Sequence, residues 1–161
     1  MRMLYKYPQA AFPYERLVEE NARRGLDDPE YELLDTGLFD VGRYFDVAIA
    51  YAKASPDDIL MRVTATNRGP DPADLTLLPQ LWARNTWSWK QGVQKPELMA
   101  GSDGSVWARH PEMPGLRFFA EGAGELLFTE NETNTHRLFG TGSAEGFYKD
   151  GIDRCVAGGN R

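Results

Sequence analysis

Hydrophobic and polar positions alternate with a period of two along two neighbouring stretches, residues 43–54 and 59–67. This period places successive side chains on opposite faces of an extended strand. Ser-Pro-Asp-Asp, a run of turn-forming residues, lies between the two stretches, and the pattern therefore predicts an antiparallel hairpin. Its apolar positions are Phe45, Val47, Ile49 and Tyr51 in the first stretch and Ile59, Met61, Val63 and Ala65 in the second.

One helix is predicted before this hairpin. It covers about residues 12–25, where Pro13 suits the first turn and basic residues precede a glycine at the end. The spacing of Tyr31, Leu33 and Leu34 then predicts a return to extended structure.

Short strands are predicted through the second half of the chain. Several short strands with one early helix indicate a mainly β protein, most simply an antiparallel β-sandwich. We treat residues 1–161 as one sandwich domain or a piece of one, and the polar, glycine-rich residues 145–161 as a linker-like tail. The additional strands are expected in 75–89, where Pro79 indicates an edge or a bulge, and in 105–110, 115–122 and 125–130.

Composition narrows the class of protein. The chain is 42% hydrophobic and 26% charged, as in ordinary globular domains. A net charge of -6 disfavours nucleic acid as a partner, because binding to phosphates needs clustered Lys and Arg. The single cysteine, Cys155, predicts a reducing compartment and no cysteine-based metal site. With no signal-peptide pattern and no membrane-spanning run, we expect a cytoplasmic protein without a cofactor, a metal or a membrane partner.

Tryptophans gather in the stretch LWARNTWSWK. In a strand, Trp87 and Trp89 would share one face, and Trp82 would share a face with Arg84. Indole rings can stack on the C–H faces of sugars while Arg84 and Asn85 hold hydroxyl groups. The same rings could instead fill the space between two sheets. Both interpretations stay open from the sequence alone.

A second polar stretch, LLFTENETNTHRLFG, encloses nine polar residues that include neither Gly nor Pro. Its acidic pair, Glu130 and Glu132, would lie about 6.6 Å apart along one strand face. Glycosidases use two carboxylates, but any such pair at a strand edge meets this spacing. His110 and His136, with Glu130, could in principle support mutarotase-like acid–base chemistry, although they are more simply exposed residues.

Much of the chain resembles one family. The resemblance runs from about Leu4 to Cys155 and is to the N-terminal region of bacterial glycoside hydrolases related to family 63, similar to mannosyl-oligosaccharide glucosidases and mannosylglycerate hydrolases. It is carried by LYKYPQAAFPYERLVEEN, ELLDTGLFD, RYFDVAIAYAKASPDDIL, TNRGP, LLPQLWARNTWSW and LLFTENETNTHRLFG.

The resemblance implies a β-sandwich of the super-sandwich type that packs against an (α/α)6 barrel, with the catalytic carboxylates in the barrel. It also implies that this chain starts after the family's first strands and stops before the barrel, so that no catalytic residue can be assigned here. We then expect a non-catalytic region, inactive alone, that contacts carbohydrate, the barrel, or both. The residues expected at that interface are Trp82, Arg84, Asn85, Trp87, Trp89, Glu130, Asn131, Glu132, Asn134 and Arg137.

Two other functions are kept as alternatives. One is a free-standing carbohydrate-binding module built on the aromatic cluster, and the other is a mutarotase-like epimerase. A sandwich that lacks strands also exposes unpaired edges, which favour association with another copy of the chain. We therefore expect a homo-oligomer formed through strand edges.

Overall fold

The computed structural model describes residues 1–89, 91–122, 124–143 and 145–159. It divides into two compact units, Met1–Leu75 and Thr76–Arg161. Each unit contains one three-stranded antiparallel sheet, so the chain is mainly β with few helices. No helix in the described part of the chain is long and apolar enough to cross a membrane.

The sheet of the first unit contains the predicted hairpin. Strand β1 spans Arg2–Pro8, β2 spans Tyr44–Ser55 and β3 spans Asp58–Asn67, in the order β1-β2-β3. The β2–β3 hairpin is thus confirmed. β1 was not predicted, although Met3, Tyr5 and Tyr7 alternate in the same way as the apolar positions of β2.

Most of the large apolar side chains of the three strands share one face of this sheet. Tyr7 lies opposite Phe45 and Tyr5 opposite Val47, while Val63 lies opposite Ile49. Phe45 and Val47 are 5% and 8% exposed and belong to the small core. The buried residues of this sheet therefore lie in the first half of β2, the strand with a partner on each side.

Helix α1, Tyr14–Ala22, lies within the predicted bounds, with Pro13 at its N-cap. Asn21 fixes the chain that follows: its side chain donates to the carbonyl of Tyr31 at 2.9 Å and accepts from the Tyr31 N–H at 2.8 Å. The Tyr31 hydroxyl donates to the carbonyl of Asp35 at 3.1 Å. These local bonds hold Tyr31 in a buried position.

The extended run predicted around Leu33 and Leu34 is wrong. Leu33–Thr36 form a 3₁₀ helix, because the Glu32 N–H donates to Asp35 Oδ2 at 2.8 Å and the Asp35 N–H donates to the Glu32 carbonyl at 3.0 Å across its first turn. Gly37, with a φ of 71°, ends the helix in the left-handed region, which glycine adopts without strain. Local side-chain hydrogen bonds therefore override the apolar alternation here.

The sheet of the second unit consists of β4, Glu97–Ala100, β5, Val106–His110, and β6, Met113–Phe118, in the order β4-β5-β6. The strand predicted in 105–110 is confirmed, and the one in 115–122 is partly confirmed because β6 begins earlier and ends at Phe118.

A network of side chains closes the β4–β5 turn. Ser105, which is fully buried, donates to Asp103 Oδ1 at 2.6 Å, and Arg117 reaches both Ser105 and Asp103. The bonds from Ser105 and the charge of Arg117 lower the pKa of Asp103. Hydrogen-bonded in this way, the buried hydroxyl stabilises the turn.

Two further predicted strands are absent. Residues 75–86 have no regular structure and Trp87–Trp89 form a 3₁₀ helix, while 125–129 contain no strand and Glu130 makes only an isolated bridge to Tyr148. The Asn85 side chain accepts the Ser88 N–H at 3.3 Å, which supports a turn where alternation predicted a strand.

Two short helices complete the second unit. Helix α2 spans Thr135–Phe139 and α3 spans Asp150–Val156. The expectation of a linker-like tail over 145–161 is therefore wrong for the residues of α3. Asn160 and Arg161, the last two residues of the expected tail, lie outside the described residues.

Candidate functional site

Two loops that the sequence marked separately are joined by side-chain hydrogen bonds in the second unit. Asn85 Nδ2 donates to the carbonyl of Asn131 at 2.8 Å and to Glu132 Oε2 at 3.2 Å. Trp87 Nε1 donates to Glu132 Oε1 at 2.6 Å. We call the group formed by these side chains and one lysine the polar cluster; its members are Asn85, Trp87, Lys95, Asn131 and Glu132.

Both ends of the Asn131 side-chain amide form hydrogen bonds. Its Nδ2 donates to the carbonyl of Ala83 at 2.7 Å, and its Oδ1 accepts from Lys149 Nζ at 2.9 Å. With the bond from Asn85 to its backbone carbonyl, Asn131 links residues from three separate parts of the unit. A side chain used in this way holds a loop in one conformation.

The acidic pair shares one cation. Lys95 Nζ lies 3.2 Å from Glu132 Oε1 and 3.8 Å from Glu130 Oε2. The indole N–H of Trp87 lowers the pKa of Glu132, helped by Lys95 and Asn85, while burial acts in the opposite direction. Glu132 is therefore an ionised acceptor with bonds to both of its oxygens.

A Glu132→Gln variant is expected to lose less stability on acidification than the original chain. Because the pKa of Glu132 is lower in the folded than in the unfolded chain, its stabilising effect is present above the unfolded pKa, about 4.3. That effect disappears as the pH falls through the lower, folded value. The free energy of unfolding from urea titrations at about pH 7 and about pH 3 measures the difference.

Glu121→Gln provides the control for this titration, since Glu121 is exposed and outside the polar cluster. It should leave the pH dependence unchanged. An equal fall in stability for Glu132→Gln and for the original chain would show that the Trp87 and Lys95 contacts do not act on the carboxylate.

Asn134 and Arg137 belong to a neighbouring structural group. Asn134 caps α2 by accepting the Arg137 N–H at 3.0 Å, and its Nδ2 donates to Asp150 Oδ1 at 3.2 Å. Arg137 donates to Asp150 Oδ2 at 2.8 Å, and Arg154 lies 3.8 Å from the same oxygen. The bond from Arg137, followed by that from Asn134, lowers the pKa of Asp150. These predicted interface residues thus fasten α2 to α3.

The three tryptophans of the predicted platform have different surroundings. Trp82 and Trp89 are 67% and 65% exposed, whereas Trp87 is partly buried by its bond to Glu132. The Arg84 guanidinium lies 5.2 Å from the centre of the Trp89 ring. The prediction of a common strand face for Trp87 and Trp89 is wrong, because both lie in a 3₁₀ helix.

Lys95, Lys149 and Asp150 were missed by the sequence analysis. They reach the predicted residues from loops and from the start of α3, and no local pattern in the sequence marks these contacts. The parallel bridge between Glu130 and Tyr148 explains why Lys149 lies close to Asn131. Charged residues that pair across many positions of the sequence can be identified only in the folded chain.

The two histidines do not join the polar cluster. His110 ends β5 and its Nδ1 accepts the Glu112 N–H at 3.1 Å, while His136 lies in α2. Within the described ranges, no hydrogen bond or ion pair connects the side chains of His110, His136 and Glu130. Nor do three His, Cys, Asp or Glu side chains of these ranges gather as metal ligands.

Comparison with known proteins shows a similarity to a yeast protein. It is Uncharacterized protein YMR196W of Saccharomyces cerevisiae, 34% identical over 174 aligned positions that cover 86% of this chain and 16% of the yeast protein. The chain thus spans a small part of its relative's length. No protein-family profile matches the chain, and no solved structure matches it.

Proposed function

We propose that the chain is a non-catalytic β-sandwich region of a glycoside hydrolase related to family 63, an enzyme acting on α-glucosides or α-mannosides. Its role is to support an (α/α)6 catalytic barrel and the sugar pocket of that barrel. The observation that carries the proposal is the polar cluster, in which Asn85 and Trp87 fix the 130–132 loop beside the exposed Trp89 and Arg84.

The β-sandwich is proposed from the mainly β structure of the chain. The sheet of each unit, taken by itself, is three-stranded and antiparallel, and antiparallel sheets are the elements from which sandwiches are built. In the first sheet most of the large apolar side chains share one face, as a layer packed on one side requires.

The lowered pKa of Glu132 supports a positioning role over that of a general acid. A glycosidase general acid needs a raised pKa so that it carries a proton near neutral pH. The pKa of Glu132 is lowered instead, and Lys95 holds both Glu130 and Glu132. Glu132 is therefore suited to accepting hydrogen bonds, and poorly suited to protonating a leaving group.

The large part of the yeast relative that lies outside the match also supports the proposal, because there the similar segment is 16% of a longer chain. Contacts made by such a segment to remote parts of a substrate can contribute binding energy to the reaction.

Hydrolysis assays test the non-catalytic role. The purified chain is expected to leave aryl α-glucosides and mannosylglycerate intact at neutral pH. Cleavage by the chain, abolished by Glu130→Gln, would overturn the proposal and place a catalytic carboxylate in the 130–132 loop.

The exposure of Trp82 and Trp89 favours one alternative, a free-standing carbohydrate-binding module. Exposed indoles stack on sugar rings and need no barrel to do so. The two functions predict different affinities of the isolated chain for oligosaccharides. A binding module should bind them by itself, whereas a supporting region should bind them weakly until the barrel completes the pocket.

Titration with gluco- and manno-oligosaccharides, followed by tryptophan fluorescence, separates the two functions. For the supporting region we expect no saturation below millimolar sugar. If the chain does saturate there, the module is the better description, and Trp89→Ala should then reduce affinity at least about tenfold, equivalent to about 1.4 kcal/mol.

Trp107→Ala is the matched control for this experiment. Trp107 also lies beneath an arginine, with the Arg117 guanidinium 4.4 Å from its ring centre, but it stands on β5 and outside the predicted platform. Equal losses of sugar binding in Trp89→Ala and Trp107→Ala would assign binding to neither ring.

A further inference from the structure

β3 is a long edge strand that contains only two charged residues, Asp58 and Arg62, and no proline. It is ten residues long and lies last in the sheet order β1-β2-β3. In the described part of the chain no strand pairs with its outer side, and Ile59, Leu60 and Met61 are 63%, 56% and 41% exposed. Long exposed edges with free N–H and C=O groups readily accept another strand.

The hydrogen bonds at the ends of the sheet show which backbone groups point outward. The Arg68 N–H donates to the carbonyl of Tyr44 at 2.9 Å, so the backbone of residue 68 faces β2. In an antiparallel ladder this direction alternates along the strand. Odd-numbered residues of β3 therefore direct their N–H and C=O groups away from β2; they are Ile59, Met61, Val63, Ala65 and Asn67.

The opposite edge of the sheet, formed by β1, is less suited to pairing with another strand. The Tyr51 N–H donates to the carbonyl of Met1 at 2.8 Å, so the alternation turns the backbones of Arg2, Leu4, Lys6 and Pro8 outward. Two charged side chains and a proline without an N–H weaken this edge as a template for pairing. The outward residues of β3 carry no charge and include no proline, so β3 is the open edge.

β3 is also complementary to itself. In an antiparallel pair of two β3 strands centred on Val63, Val63 faces its own copy, Met61 faces Ala65, and Ile59 faces Asn67. All outward backbone groups from 59 to 67 then meet outward groups of the partner, as the ladder requires. Arg62 faces Thr64, so that no like charges lie opposite one another.

Neighbouring registers fit less well. Centring the pair on Arg62 places two guanidinium groups opposite each other, which is destabilising. Centring it on Met61 or on Thr64 shortens the shared strand at one end. The register on Val63 therefore combines the longest overlap with an absence of charge repulsion.

We infer that two copies of this chain associate through β3, forming a continuous six-stranded antiparallel sheet with its two-fold axis at Val63. The partner is a second copy because the pattern of outward backbone groups, apolar side chains and charges is matched by β3 itself. This association is a property separate from the carbohydrate function proposed above.

Cysteine cross-linking tests both the partner and the register. In a Cys155→Ser background, Val63→Cys should form a disulfide-linked dimer under mild oxidation. Hydrogen-bonded partners have Cα atoms about 5.5 Å apart, within the range that a disulfide spans. Ile59→Cys is the matched control, since its own copy would lie about 27 Å away at 3.4 Å per residue. Non-reducing electrophoresis should show a dimer for the first variant and a monomer for the second.

Light scattering tests the association without cross-linking. The original chain should have a dimer mass at about 100 times lower concentration than Val63→Pro, which removes an outward N–H and spares the ladder to β2. Circular dichroism checks that the variant keeps its sheet. A monomer mass for the original chain at micromolar concentration, or equal cross-linking of Val63→Cys and Ile59→Cys, would overturn the inference.

Discussion

Phe45→Ala is expected to lower the free energy of unfolding by about 3 kcal/mol, the usual cost of emptying a buried phenylalanine site. Phe45 is 5% exposed and lies on the central strand, opposite Tyr7 of β1 and Asn67 of β3. Because the buried apolar core of the described residues is small, neighbouring side chains have few ways to fill the cavity. A loss of this size is a large fraction of a typical stability of about 5–15 kcal/mol.

Urea denaturation followed by far-ultraviolet circular dichroism measures this loss, with Phe147→Ala as the control. Phe147 is 79% exposed, and only its carbonyl, which the alanine keeps, accepts the Glu130 N–H. The control should change stability by less than about 0.5 kcal/mol. If both variants lost the same stability, Phe45 would have no special place in the core.

The sequence predicted the β2–β3 hairpin and α1 because the forces that form them are local. Strict alternation around Val47 and Val63 specifies two strands, and a short turn brings them together at little entropic cost. β1 was missed although its own alternation is regular. Its partner, β2, follows only after α1 and the 3₁₀ helix at Leu33–Thr36, and short apolar runs do not reveal distant pairing.

The strand predicted through Trp87 failed for a different reason. Alternation indicates which residues could line a sheet, but the Asn85 side chain accepts a nearby backbone N–H, which favours a turn. Such side chains compete with strand ladders, and the pattern of apolar residues does not show which interaction prevails.

The sequence predicted most residues of the polar cluster but not the hydrogen bonds that join them. Asn85, Trp87, Asn131 and Glu132 were selected as groups that could contact a sugar or a domain, and the structure brings these four together. They bind one another, however, which changes their role from direct contacts to positioning. The exposed side chains of Trp82, Arg84 and Trp89 remain the candidates for direct contact with a sugar or a domain.

Trp87→Phe is expected to destabilise the second unit by about 1.5 kcal/mol, at the lower end of the range for a hydrogen bond to a charged group. Phenylalanine keeps most of the ring contact but removes the Nε1–H that donates to Glu132. The loss should be at the lower end because Glu132 is 31% exposed and keeps its ion pair with Lys95. All four tryptophans lie in the second unit, so the remaining three report its unfolding by fluorescence.

The same substitution should raise the pKa of Glu132 toward its usual value, since the bond from Trp87 is the largest cause of the lowering. Carbon-13 NMR of the Glu132 carboxyl measures this pKa directly. Trp89→Phe is the matched control: it keeps an aromatic ring beneath Arg84 and leaves Glu132 untouched, so neither the pKa nor the unfolding midpoint should move appreciably. A Glu132 pKa that stayed the same in Trp87→Phe would mean that the indole does not hold the 130–132 loop, and the positioning role of the polar cluster would have to be abandoned.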